Sequence, residues 1–162
     1  MKRIAEFHKV SLKQFLESCE RADAEQIYNS IKLPKRATKG SAGYDLFAPY
    51  DIELKAGETA KIPTGIRAEI SEGWLLSLYP RSGLGFKFRL QLDNTVGIID
   101  SDYFNSDNEG HILIKMTNDS REGKTLFIPA GSGFAQGIFT EYGITRSDDA
   151  DAERNGGFGS TG

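Results

Sequence analysis

Ile66-Arg67-Ala68-Glu69-Ile70-Ser71-Glu72-Gly73-Trp74-Leu75-Leu76-Ser77-Leu78 decides the fold class. Ile66, Ala68 and Ile70 alternate with Arg67 and Glu69, a period of two that gives a strand one apolar and one charged face. Ser71-Glu72-Gly73 reads as a turn, and the apolar run that follows, residues 74–78, reads as a buried strand. Outward from there, Ile112, Ile114 and Met116 alternate with Leu113, Lys115 and Thr117. His111 is expected on the same strand. Turn clusters separate such segments: Lys55-Ala56-Gly57-Glu58, Asp107-Asn108-Glu109-Gly110, Asp119-Ser120-Arg121-Glu122-Gly123 and Ala130-Gly131-Ser132-Gly133. Short strands divided in this way predict an all-β sandwich or barrel from Gly43 onward.

The first third has a different period. Ser11 and Gln14 have capping-box spacing, and Leu12, Phe15 and Leu16 recur as on a helix, predicting one over about residues 12–20. Asp23 and Gln26 repeat the cap signal before Ile27 and Tyr28, predicting a second helical turn. Residues 1–32 are read as a helical extension packed on the domain, 33–146 as the β-domain, and 147–162 as a flexible arm. The arm begins with an acidic spacer and ends Arg154-Asn155-Gly156-Gly157-Phe158-Gly159-Ser160-Thr161-Gly162, too poor in apolar residues for a core element.

Composition narrows the function. A chain of 162 residues suits one well-buried domain. Its net charge of −3 gives no electrostatic reason to bind nucleic acid or a membrane surface. Cys19 is the single cysteine, so no intrachain disulfide forms and a structural thiol is expected. No apolar run reaches membrane-spanning length, and charges at Lys2, Arg3, Glu6 and Lys9 argue against a secretion signal. A cytoplasmic protein is the expectation. His8 and His111 share no metal-ligand spacing, so no zinc site is expected.

Four segments carry chemistry, each ambiguous alone. Tyr79-Pro80-Arg81-Ser82-Gly83-Leu84-Gly85 sets a guanidinium, a hydroxyl and glycine amides after a buried strand; it suits phosphate, or is a β-turn with a surface arginine. Asn94-Thr95-Val96-Gly97-Ile98-Ile99-Asp100-Ser101-Asp102-Tyr103 is an apolar strand ending in acids and a tyrosine. It suits a pocket floor with a carboxylate to activate water, or is a hairpin with capping acids. Phe158 among glycines suits docking over a flat group, although glycine content alone favours a disordered tail. Ser41-Ala42-Gly43-Tyr44-Asp45-Leu46 sets one carboxylate at a strand start, or is a turn aspartate.

In order and spacing, these segments together with residues 131–136 resemble the five motifs of the trimeric dUTPase family, from about Leu33 to the last residue. The resemblance implies a distorted β-barrel or jelly-roll subunit in a homotrimer with shared active sites, hydrolysing dUTP to dUMP and pyrophosphate with Mg²⁺. It implies that Asp100 orients the attacking water and that Tyr103 packs on the deoxyribose. Asn94 and the backbone of Gly97, Ile98 and Ile99 would read uracil. Arg81, Ser82, Gly83 and Gln136 would hold phosphate, and Asp45 would help hold hydrated Mg²⁺ through water. Arg154, Phe158, Gly159 and Ser160 would belong to an arm closing over a neighbour's nucleotide. The other readings are a dCTP deaminase-like enzyme of the same fold and a nucleotide-dependent protein-binding regulator.

Three departures from the family pattern stand out. Ser132-Gly133 replaces an acidic and a basic residue of the fourth motif. The arm is one residue shorter between Arg154 and its glycine pair. Residues 104–109 lengthen the hairpin, with Asp107 and Glu109 expected in solvent.

Overall fold

The computed structural model describes residues 1–152 and Arg154. Its elements run β1 (Ala5–Lys9), α1 (Leu12–Ser18), α2 (Ala24–Ser30), β2 (Lys35–Arg36), β3 (Tyr44–Phe47), β4 (Ile52–Leu54), β5 (Thr59–Pro63), β6 (Ile66–Ile70), β7 (Trp74–Pro80), α3 (Ser82–Phe88), β8 (Leu90–Leu92), β9 (Gly97–Ile99), a 3₁₀ helix (Ser101–Asn105), β10 (Leu113–Asn118), β11 (Leu126–Ile128) and β12 (Gly133–Glu141). The strands form four antiparallel sheets, ordered β1-β6, β5-β10-β8, β11-β4 and β2-β3-β12-β7-β9. The sheets do not close into a continuous barrel; the fold is a distorted jelly roll.

The alternation of Ile66, Ala68 and Ile70 does what its period requires: all three are buried, while Glu69 is exposed. After the Ser71-Glu72-Gly73 turn, with Gly73 at φ +81°, the chain leaves the β1-β6 sheet and enters the five-stranded one as β7. Leu76, Ser77 and Leu78 are buried there, between β12 and β9. A single apolar cluster draws on all the sheets and on the N-terminal helices, through Phe15, Ile27 and Ile31.

The N-terminal third holds more than helices. β1 pairs with β6, from Ala5 opposite Ile70 to Lys9 opposite Ile66, a strand not expected in this helical third. Ser11 caps α1 as expected, its Oγ accepting from Gln14 N at 3.1 Å. The other half of the capping box is not made by Gln14. Ser11 N and Oγ instead donate to the Glu109 carboxylate at 2.7 and 2.6 Å. Glu109 is therefore a helix-capping residue and not a solvent residue. Asp23 makes no cap hydrogen bond; its carboxylate is held by Arg21 at 3.0 and 3.3 Å, a nearer and charged partner.

His111 also differs from expectation. It precedes β10 and is fully buried. Its Nε2 accepts from Gly65 N at 2.9 Å, so the neutral ring carries its proton on Nδ1, 3.2 Å from Ser18 Oγ. Gly65 must be glycine there: its φ is +70°, and a Cβ would meet Ile31 Cδ1 and, at 3.3 Å, Phe15 Cδ2. No helix among the described residues is long and apolar enough to cross a membrane.

Burial pushes the His111 imidazole down from 6.5 to about 4. The unfolded chain then takes up a proton that the folded chain refuses. Stability is full above pH 6.5, falls as the pH drops, and levels off below about 4. The loss from this group is of the order of 3 kcal/mol. Urea unfolding at pH 7, 5.5 and 4 measures it, with His111→Gln, which keeps an acceptor for Gly65, expected to flatten the slope. An equally steep slope in that variant would assign the effect elsewhere.

Candidate active site

A pocket of about 330 Å³ is lined by Asn94, Gly97, Ile98, Ile99, Asp100 and Tyr103, together with Arg154 and the apolar Leu78 and Leu113. It collects every residue that the sequence singled out between positions 94 and 103. Its size is near the lower end of ordinary small-ligand sites. A larger open cleft, about 1010 Å³, lies around residues 1–5 and 36–44; its charged groups are Lys2, Arg3, Arg36, Lys39 and Glu141. The smaller pocket is the better candidate because it joins a carboxylate, an aromatic ring and open strand backbone.

Local structure explains how these groups come together. Among the described residues β9 pairs with β7 alone and ends the five-stranded sheet. An edge strand leaves alternate N–H and C=O groups to another partner. The preceding turn is tight: Val96 N donates to Asn94 O at 2.7 Å, and Thr95 sits at φ +63°. A β-branched residue in the left-handed region costs about 1–3 kcal/mol, which the surrounding fold must offset. β9 and β7 lie so close that a Cβ on Gly97 would come 3.0 Å from Leu78 Cβ.

Asp100 ends β9 and precedes the 3₁₀ helix that carries Tyr103. Arg154 Nη2 donates to Asp100 Oδ2 at 2.7 Å. Its buried Nε lies 3.2 Å from Asp102 Oδ1 without forming a hydrogen bond, and its guanidinium carbon is 5.8 Å from the Tyr103 ring centre. Two carboxylates and an aromatic face thus attract the cation to the pocket of its own chain. Arg154 thus meets Asp100 within its own chain. Phe158, Gly159 and Ser160 lie outside the described residues.

Tyr103 is buried, and burial raises its hydroxyl pKa, opposed by the hydrogen bond from Asn108 and the charge of Arg154. Its Oη donates to His111 O and accepts from Asn108 Nδ2, both at 2.8 Å. The lengthened segment 104–109 lines no part of the pocket, yet it backs Tyr103 through Asn108.

The remaining singled-out residues form a second group on the same sheet. Gln136 on β12 stands opposite Asp45 on β3 and Tyr79 on β7. Arg81 Nε lies 3.2 Å from Asp45 Oδ1, and Gln136 Nε2 donates to Pro80 O at 3.3 Å. Ser82 and Gly83 open the short helix α3; the glycines following Arg81 are helical and make no β-turn. Gly133 acquires a role: a Cβ there would come 2.8 Å from Arg81 Nη1, so the missing side chain of the fourth motif leaves space for Arg81. Among the described residues no three His, Cys, Asp or Glu side chains cluster as a metal cage. Asp45 offers one hard oxygen site, which fits a cation held mainly by a ligand's own phosphates.

Leu78, Val96 and Leu113 line the pocket without having been singled out. Their apolar type carried no signal beyond strand burial.

Comparison with known proteins places these features. A family profile described as dUTPase matches residues 29–162. A deoxyuridine 5'-triphosphate nucleotidohydrolase of Lactococcus lactis is 42% identical over 135 residues, covering 82% of this chain and 89% of the relative. The crystal structure of dUTPase from Streptococcus mutans superposes with a TM-score of 0.66 at 32% identity, over 87% of this chain and 98% of the other. A dUTPase variant from phage phi11 of Staphylococcus aureus, whose structure describes coordination of a structural Mg(II) ion, has a TM-score of 0.64. At 20% identity, over 93% of this chain and 98% of the other, it shares the fold.

Gly97→Ala tests the close approach of β9 to β7. The methyl meets the fixed Cβ of Leu78, so the strand must shift. A destabilisation of about 1–3 kcal/mol is expected in urea unfolding, as for other overpacked sites. A stability equal to the parent's would show that β9 yields freely.

Proposed function

The chain belongs to the dUTPase family, and on that premise we propose that Asp100 activates the water by which this dUTP nucleotidohydrolase attacks the α-phosphorus, giving dUMP and pyrophosphate. The observation that carries the reading is the join, in one pocket, of the Asp100 carboxylate, the Tyr103 ring and the open edge of β9.

Uracil docks on Asn94 and the backbone of Gly97, Ile98 and Ile99. Cytosine presents the opposite donor pattern and would leave buried backbone groups unpaired, which is costly. A thymine methyl has no room in the closed pocket. Deoxyribose lies against Tyr103, where a 2′-hydroxyl clashes. Arg81, Ser82, Gly83 and Gln136 grip the phosphates. Their grouping around β3, β12 and the end of β7, apart from the 330 Å³ pocket, supports a site assembled between subunits of a homotrimer. Phe158, Gly159 and Ser160 close the site with Arg154.

Asp100 must be free of its cation to take a proton from water. Arg154 exchanges that carboxylate for phosphate oxygens when the triphosphate enters, so closure and activation coincide. Mg²⁺ supplies charge neutralisation of the triphosphate when bound, and Asp45, beside Arg81, would hold its hydration shell.

Asp100→Asn is expected to bind nucleotide within a few-fold of the parent while turnover falls about 10²–10⁴-fold, the usual worth of a general base. Turnover at the parent rate would remove Asp100 from the mechanism. A chain ending before Arg154 should stay trimeric by light scattering and lose most activity. Steady-state kinetics with dUTP, dCTP, dTTP and UTP, with and without Mg²⁺, test selectivity. Ammonia release from dCTP would instead support the deaminase reading.

A further inference from the structure

Helix α1 precedes the region matched by the family profile, which begins at residue 29. Nevertheless both of its ends hold the segment directly behind the active-site tyrosine. At the N-terminal end, Ser11 N and Oγ donate to the Glu109 carboxylate at 2.7 and 2.6 Å. At the C-terminal end, Ser18 Oγ accepts a hydrogen bond from His111 Nδ1 at 3.2 Å. Glu109 is held at φ +58°, a backbone conformation that a non-glycine residue keeps only when its surroundings fix it.

The clamped segment passes its position on to Tyr103 through three contacts. Asn108 Nδ2 donates to Tyr103 Oη at 2.8 Å, and Gly110 N, donating to Asn108 Oδ1 at 3.2 Å, sets which way that amide faces. Tyr103 Oη donates to His111 O at 2.8 Å. The Gly110 backbone lies so close that a Cβ there would come 2.7 Å from Tyr103 O. The hydroxyl is thus fixed between residues 108 and 111, and α1 fixes the residues 109 and 111 beside them.

We propose that α1, through Ser11 and Glu109, is a brace that positions the Tyr103 ring and so sets how strictly the enzyme rejects ribonucleotides. The inference rests on the reading of the 330 Å³ pocket as the nucleoside site. Ser11 and Glu109 are positioning residues: they act through Asn108 and His111 and do not line the pocket. A ring free to tilt by a fraction of an ångström opens space for a 2′-hydroxyl. Rejection of UTP then weakens while the deoxyribose contact and the Asp100 chemistry persist.

Ser11→Ala removes both the hydroxyl bond to Glu109 and the cap bond from Gln14 N at an exposed position, and Ser11→Thr keeps both, so the threonine control and Asn108→Ala tie the effect to the Glu109 side. The readout is the ratio of kcat/KM for dUTP to that for UTP, measured on the full chain. A ratio is insensitive to the fraction of enzyme folded. Loss of one hydrogen bond worth about 1 kcal/mol corresponds to a fall of about fivefold in Ser11→Ala. Ser11→Thr should match the parent, and Asn108→Ala should fall at least as far as Ser11→Ala. The fall should come from faster use of UTP, with kcat for dUTP little changed. Equal loss of both substrates, an unchanged ratio, or a threonine variant as unselective as the alanine one would overturn the brace. A parent that does not itself prefer dUTP would overturn the pocket reading, and the brace with it. A selective parent with an equally selective Ser11→Ala variant would overturn the brace alone.

Discussion

Strand β12 lies between β3 and β7, and its register is the constraint on which the site depends. Gln136 faces Asp45 on one side and Tyr79 on the other. Side chains on a strand alternate between faces, so a slip of one residue would turn Gln136 to the other face and separate it from both partners. The register against β3 shifts between Gly133 and Ala135, where an irregularity absorbs one residue. At that same place the missing Gly133 side chain admits the Arg81 guanidinium. Pairing, irregularity and glycine together bring Asp45, Arg81 and Gln136 into one group although they are far apart in the chain.

The far edge of the sheet has the complementary property. Among the described residues β9 has no second strand neighbour, and an unpaired edge is ordinarily a hazard that invites another chain. Here it is short, and a strained turn at Thr95 precedes it. The 330 Å³ pocket opens against it. The open backbone can thus serve recognition of a flat polar edge, which aliphatic side chains alone could not provide. Asp100 follows immediately, so the end of the strand also fixes the place of the carboxylate.

Behind the pocket, polar groups replace apolar packing. His111, Asn108 and Tyr103 are joined by hydrogen bonds in a region where an unpaired group would be costly. Such a network keeps a unique geometry better than aliphatic contacts, which tolerate small rotations. Its dependence on α1 gives the N-terminal segment a part in the site and not merely in the core, where Phe15 already anchors it.

The sequence by itself determined the strand class and the order of the segments expected to carry chemistry. A period of two at Ile66, Ala68 and Ile70 is a local consequence of backbone geometry, and the order of the motifs is a property of the chain. The residues from Asn94 to Tyr103 were legible as a unit because they are contiguous, running through one tight turn, β9 and the 3₁₀ helix. Other features were not legible, since they arise from pairing between distant segments. β1 alternates over too few residues, Ala5 to His8, to stand out, and its pairing with β6 is what marks it as a strand. Glu109 looked like a solvent acid, and only the arrival of Ser11 made it a cap. His111 fitted a strand by position, yet the amide of Gly65 and the serine ending α1 made it a buried linker. Arg154 read only as part of an arm; its contact with Asp100 joins residues far apart in the chain and could not be read from the tail's own sequence. Local periodicity fixes what each segment can become, and only long-range contacts choose which polar partners it receives.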